Sequence, residues 1–254
     1  MQEDNIIILV ALSILFGSFY NAIIYRIPRQ LSFVFPSSSC PQCKVQIKWF
    51  DNIPILSFLI LRAQCRYCKK NIIFQYLIVE ILSPLLMVLI IFYNESLIQI
   101  IIDYVFFSFL LIIFFIDLDH KIIPNRLTYT LAIIGIVLNF YNLNFFDALY
   151  FTLLGSLIGG GPILLLMYIF KKVRGVEGMG MGDIKLFIVL GIWFGWLNCL
   201  LIIFISAMLG SIIGIAGILF KRVQPQQQLP FGPFIVISTL IIYLNEEKII
   251  NLLF

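Results

Sequence analysis

The sequence predicts an all-α polytopic membrane protein with about eight transmembrane helices and a small cytoplasmic zinc-ribbon-like insert between the first and second. Three observations predict it. Of the 254 residues, 61% are hydrophobic and 12% charged, more apolar surface than a water-soluble core can hide. The apolar residues fall into continuous runs, most of them near the length of about 20 residues that a helix needs to cross the hydrocarbon layer. The sequence also lacks the ten-residue alternating segments of a membrane barrel. Helices, which satisfy their own backbone hydrogen bonds in lipid, are then the spanning elements.

Taken in order, the first run covers 5–25. The residues before it are acidic and no small-residue cleavage site follows it, so it reads as a retained span rather than a signal peptide. Further runs follow at 76–93, 97–117, 127–142, 147–170, 184–196, 198–220 and 232–251, of which 127–142 and 184–196 are short. With the N-terminus outside, the polar breaks 26–75, 118–126, 171–185 and 221–231 face the cytoplasm. Those breaks hold 16 of the 17 Lys and Arg residues, leaving Lys248 alone outside, as the positive-inside rule requires. The net charge of +4 is thus a topological signal, and no nucleic-acid partner is expected. The organisation reads as a first transmembrane helix over 1–25, a cytoplasmic insert over 26–75, and a seven-helix membrane domain over 76–254.

The insert carries C-x2-C, 21 intervening residues, and a second C-x2-C: Cys40, Cys43, Cys65 and Cys68. Two such turns close a tetrahedron of thiolates around Zn²⁺. Four protein ligands leave no open coordination position, so the metal is expected to be structural. Disulfides are the plainer reading of paired cysteines, but this segment sits on the reducing side, where they are rare. The fifth cysteine, Cys199, lies within a span and reads as a small core residue. Within the insert, the apolar stretch 53–61 is too short to cross a bilayer and either packs under the knuckles or lies on the membrane surface.

Carboxylates at the lipid edge carry the most chemistry, because each costs about 2.5–3.5 kcal/mol at a helix centre. Asp103 reads as an interfacial acid, and Glu80 as a substrate contact or an ion-pair partner. Asp117 and Asp119, in FFIDLDHKIIPNR, close the third span at the cytoplasmic face, and Asp183, in GMGDIK, opens the sixth at the same face. Acids from two distant stretches therefore arrive at one depth. Residues two apart lie about 200° around a helix, so only one of Asp117 and Asp119 can point at Asp183. Paired carboxylates are the working parts of aspartic proteolysis, one protonated and one ionised. Gly180 and Gly182, lacking Cβ, let backbone or substrate approach Asp183 closely.

Seven stretches together resemble the bifunctional type IV prepilin peptidases, GxGD-type membrane aspartic peptidases. They are GSFYNAIIYRIP (17–28), CPQC, WFDNIPILSFLILR, CRYC with YLIVE, FIDLDHKIIPN, GMGDIK and LPFGPF (229–234), and the likeness covers nearly the whole chain. The resemblance implies a multi-pass protein of the bacterial inner membrane with its active site toward the cytoplasm. It implies cleavage of prepilin and pseudopilin leaders after a glycine, then N-methylation of the new terminus with S-adenosylmethionine. Members of the family serve type IV pili, type II secretion and, in some bacteria, DNA uptake. Carried over by position, the catalytic pair is Asp117 and Asp183 and the zinc ligands are the four insert cysteines.

Methylation enters through the resemblance alone, because no G-x-G-x-x-G follows a strand anywhere in the chain. The matching motifs offer Gly17, Asn21, Arg26 and Glu80 as cofactor contacts. Two other readings stay open. Intramembrane acids also serve carriers and channels, although no internal repeat of the carrier kind is evident between the halves. Presenilin-type intramembrane proteases share G-x-G-D but lack the four-cysteine insert.

Overall fold

A computed structural model describes residues 3–32, 38–175, 180–220 and 229–253. Gly178 and most of the basic break 221–231 lie outside the described residues. The described chain is all-helical apart from two isolated antiparallel bridges in the insert. Its helices are α1 (Glu3–Arg26), α2 (Leu56–Ile60), α3 (Gln75–Tyr93), α4 (Leu97–His120), α5 (Asn125–Asn142), α6 (Phe145–Arg174), α7 (Met181–Leu219) and α8 (Gly232–Leu253). Five of them, α1, α3, α4, α6 and α7, are long and apolar enough to cross a membrane, and α8 supplies a shorter apolar stretch, Gly232–Glu246.

The eight expected spans thus arrive as seven long helices, because the sixth and seventh are one. The 39 residues of α7 would reach about 58 Å at 1.5 Å per residue, roughly twice the hydrocarbon thickness. The helix therefore breaks inside, at Gly195, whose φ of 74° and ψ of 177° only glycine adopts freely. Side chains on α6 hold the break in place, since a Cβ at residue 195 would strike the Phe151 ring. Asn198 and Trp196 beyond it carry no charge that could have marked a polar loop, which is why hydropathy alone put the boundary two residues late.

The chain divides into two compact units, Met1–Ile112 and Ile113–Phe254. In the first, α1 and α3 pack closely, and Gly17 is the reason. A Cβ there would meet the backbone Cα of Glu80 at 2.9 Å. A polar seam runs through the same unit: the Tyr20 hydroxyl bonds Ser108 at 2.7 Å, Tyr104 bonds Ser83 at 2.8 Å, and Ser83 donates to the Ser13 carbonyl at 2.6 Å. In an apolar interior each of those hydroxyls would be costly without a partner.

In the second unit α6 lies along α7. Gly155 and Gly159 are spaced four apart on α6, and each puts its missing side chain against an α7 backbone carbonyl, that of Gly191 or Phe187. Small residues at this spacing let two helix backbones touch in lipid. Gly160 meets the Ile188 side chain, and α6 runs on through Pro162. Cys199 is buried beside the Phe187 carbonyl as an ordinary core residue.

Candidate functional site

The second unit assembles the acids. Helix α4 continues three residues past its expected end, to His120, and stops where Lys121 turns left-handed (φ 55°) while its N–H caps the Asp117 carbonyl at 2.8 Å. Asp117 and Asp119 therefore both sit in the last turn, and they differ completely in setting. Asp117 is 4% exposed, whereas Asp119 and His120 face outward. Asp183 lies in the first turn of α7, three residues after Gly180, which caps the helix in an extended conformation.

Each of these acids receives a glycine amide. The Gly232 N–H, at the start of α8, donates to Asp117 Oδ2 at 2.8 Å. The Gly180 N–H bonds the Asp183 carboxyl, the reciprocal half of a capping box. Two helix N-termini, with their positive ends, are thus turned on two carboxyl groups. The two acids are within coulombic range of each other, and the Lys121 ammonium is within range of Asp117.

The motif stretches are also latched to each other. Gly182 lies against Ile123, where a Cβ would come within 2.9 Å, so the turn before α7 packs on the connection after α4. Lys185 donates to the Asn125 side chain at 2.8 Å and lies over the Tyr129 ring. Phe231 lies between Phe187 and Phe234, tilted to the first ring and edge-on to the second, and fixes the approach of α8. Gly232 is the participant that sequence reasoning missed. Its only signal was the run FGPF, a glycine just before proline at a helix start. A Cβ at 232 would overlap the Asp117 carboxyl group at 2.8–3.1 Å.

The first unit assembles the cysteines. All four Sγ atoms lie within 4.8 Å of one another, with Cys40–Cys68 at 3.9 Å and Cys43–Cys65 at 4.0 Å. Those separations are far too long for a disulfide. They match the edge of about 3.8 Å in a tetrahedron whose metal–sulfur bonds are about 2.3 Å, so the cage fits a metal. The two knuckles are copies of one turn. Lys44 N–H returns to the Cys40 carbonyl and Lys69 N–H to the Cys65 carbonyl, and both lysines have φ near 57°. A bridge flanks each turn, Ser39 with Gln46 and Gln64 with Asn71. Amide groups of Cys68 and Tyr67 bring the Cys65 thiol down to about 7. Cys43 stands at about 11: the Val45 amide pulls it down, while burial and the neighbouring thiols push it up more strongly. A divalent cation would relieve that competition by replacing protons.

Beneath the knuckles lies a cavity of about 290 Å³. Asn21, Arg26 and Glu80 line it, while Gly17 does not and instead packs behind Glu80. The stretch 53–61 packs under the knuckles on one face and is exposed on the other. Phe58 and Leu61 line the cavity, while Leu56, Leu59 and Ile60 of α2 turn outward with Trp49. Asp51 closes one side through two bonds to Arg66, 2.7 and 2.5 Å, and Arg66 holds the Asp51 carboxyl below its ordinary range. Asp103, the remaining interfacial acid, is capped by the side chains of Asn94 and Gln99.

Comparison with known proteins covers both units. The family model described as Bacterial Peptidase A24 N-terminal domain matches residues 11–94, and that of the Type IV leader peptidase family matches residues 104–215. The chain is similar to the prepilin leader peptidase/N-methyltransferase of Dichelobacter nodosus, 31% identical over 93% of this chain and 90% of that protein. It is 32% identical to the protein so named from Legionella pneumophila, over 94% and 91%. For that of Neisseria gonorrhoeae the figures are 31%, over 94% and 90%. No solved structure matches the chain.

Proposed function

Because the chain belongs to the type IV leader peptidase family, as a relative of its prepilin leader peptidase/N-methyltransferases, we propose that it removes the leader of prepilins and pseudopilins after a glycine and N-methylates the new terminus. It is an enzyme with two activities, and we assign them to two different sites.

Cleavage is assigned to Asp117 and Asp183. The observation that carries this is the convergence of two acids from distant motifs into coulombic range, each holding a glycine amide. In an aspartic mechanism the ionised member takes a proton from water as that water attacks the peptide carbonyl, and the protonated member donates to the carbonyl oxygen. Gly232 and Gly180 orient the two carboxyl groups for this, and Gly182 keeps Asp183 close to the α4–α5 connection. A prepilin has a basic leader before an apolar helix, so the positive-inside rule leaves its scissile bond at the cytoplasmic membrane edge. The lysine and arginine distribution supports the same orientation here: N-terminus outside, and the α4–α5 connection and the insert in the cytoplasm of a bacterial inner membrane.

Methylation is assigned to the first unit. S-adenosylmethionine supplies the methyl group as an activated sulfonium, and Asn21 and Arg26 are proposed contacts for it. The cavity they line is concave, mixed aromatic and polar, and close in size to small-ligand sites. Zinc is the metal proposed for Cys40, Cys43, Cys65 and Cys68, whose all-thiolate set and closed geometry suit a structural site. Its part is to hold the cavity roof, and the outward apolar face of α2 is proposed to rest on the lipid surface.

The test is co-expression with a prepilin, followed by mass spectrometry of the pilin. The expected product lacks the leader and carries one methyl group on its terminal nitrogen. A pilin left with its leader would overturn the peptidase reading, and one cut but unmethylated would overturn the transferase reading.

A further inference from the structure

Glu80 is a buried carboxylate in an apolar helix, 8% exposed, and its hydrogen-bond donors are neutral. Ile55 N–H donates to Oε2 at 2.7 Å, and the Asn21 side chain reaches Oε1 at 3.5 Å while bonding the Tyr76 carbonyl at 2.9 Å. Among the described residues the ion pair is Arg66 with Asp51. Arg26 lines the same cavity with its Nη1 given to the Ser32 carbonyl. A buried negative charge without a cation against it is costly, and proteins keep such charges where a ligand completes them.

The backbone that serves Glu80 is strained. Ile55 has φ 63° and ψ −54°, and the Leu56 N–H closes back on the Pro54 carbonyl at 2.6 Å. This is a γ-turn of the rare, strained hand, and on a β-branched residue it is a genuine outlier. The strain serves a purpose: it turns the Ile55 N–H onto the Glu80 carboxylate. On the other side Gly17 brings α1 against the Glu80 backbone, and Pro84 has no N–H to offer the Glu80 carbonyl one turn back. The strained turn at Ile55 thus serves the Glu80 side chain at a cavity wall, while Gly17 and Pro84 bear on the Glu80 backbone. Backbone strain of this kind gathers at functional sites.

We propose that Glu80 receives the free terminal ammonium of the processed pilin and is the acceptor-side residue of the methyl-transfer site. A carboxylate fixed on one oxygen by an amide, beside aromatic walls from Phe58 and Tyr76, is a receptor for a small organic cation. Once seated, the ammonium passes one proton to the carboxylate, giving a neutral amine and a carboxylic acid. The nitrogen lone pair then forms the N–C bond as the donor's S–C bond breaks, the sulfonium leaving as a neutral thioether and the product being an N-methylammonium. This rests on the assignment of methylation to the first unit.

The experiment uses the full chain in detergent, without methyl donor, and two probes: a labelled apolar peptide with a free amino terminus and its N-acetyl twin. Wild type is expected to bind the free amine at least about tenfold more tightly. Glu80→Gln removes that preference, and Glu80→Asp, which keeps the charge but shortens the reach, leaves an intermediate one. Affinity for the demethylated donor stays as in wild type, and leader removal reports that each variant is folded. Equal binding of both peptides by wild type, a preference unchanged in Glu80→Gln, or loss of demethylated-donor binding in its place would each overturn the role of Glu80. A wild-type protein that cannot methylate a pre-cut pilin would instead remove the underlying assignment.

Discussion

At the scale of single residues, Gly232 separates a positioned acid from a merely buried one. Its amide is the hydrogen-bond donor to Asp117, and its absent side chain is the space in which the carboxyl group sits. Gly232→Ala keeps the amide but drives Cβ into Asp117. Leader cleavage is expected to fall by about 10²-fold, the usual effect of displacing a reacting group by roughly an ångström. Asp119→Asn, on the outward face of the same turn, is expected to change little. Steady-state cleavage of a synthetic prepilin peptide measures both. The acids themselves were legible in the sequence, since membrane carboxylates are costly and therefore informative. Gly232 was not legible as their partner, because a contact across 115 positions leaves no local pattern. The γ-turn at Ile55 was hidden for a different reason: nothing in NIPIL signals a positive φ on a β-branched residue.

At the scale of elements, two devices do most of the positioning, a thiolate cage and a glycine seam. Replacing one cage ligand, Cys40→Ser, is expected to lower metal affinity by at least about 10–100-fold and to leave the purified protein with less than one metal ion per chain by elemental analysis. Methylation should fall with the metal, because Cys40 and Cys65 also line the cavity, while cleavage by the second unit persists. The seam predicts a pattern of its own. Gly155→Ala and Gly191→Ala force Cβ into a facing carbonyl, whereas Gly161→Ala meets nothing within 4 Å. The first two are expected to cost about 1–3 kcal/mol and to lower the melting temperature in detergent, with Gly161→Ala at or above wild type. The cage was legible from spacing alone, because metal geometry dictates the C-x2-C turn. Helix ends were less so: α4 overran its expected end by a turn and α7 fused two expected spans, because hydropathy registers lipid and is blind to a backbone break at a single glycine.

At the scale of the whole molecule, the chain divides into two compact units, residues 1–112 and 113–254, and one proposed site falls in each. Polytopic architecture, helix order and charge asymmetry follow from composition, since lipid admits few alternatives to the helix. Which residues share a site became apparent only in three dimensions, where Glu80 and Asn21 line one cavity with Cys40 and Cys65, and Asp117 comes within coulombic range of Asp183. The central claim is that those two aspartates cut the leader. Its most direct test is the purified enzyme given a full prepilin and, separately, a pre-cut pilin with methyl donor, comparing wild type with Asp117→Asn and Asp183→Asn. Each substitution is expected to reduce leader cleavage by about 10²–10⁴-fold or more while methylation of the pre-cut pilin continues. Cleavage at the wild-type rate in both variants would contradict the account.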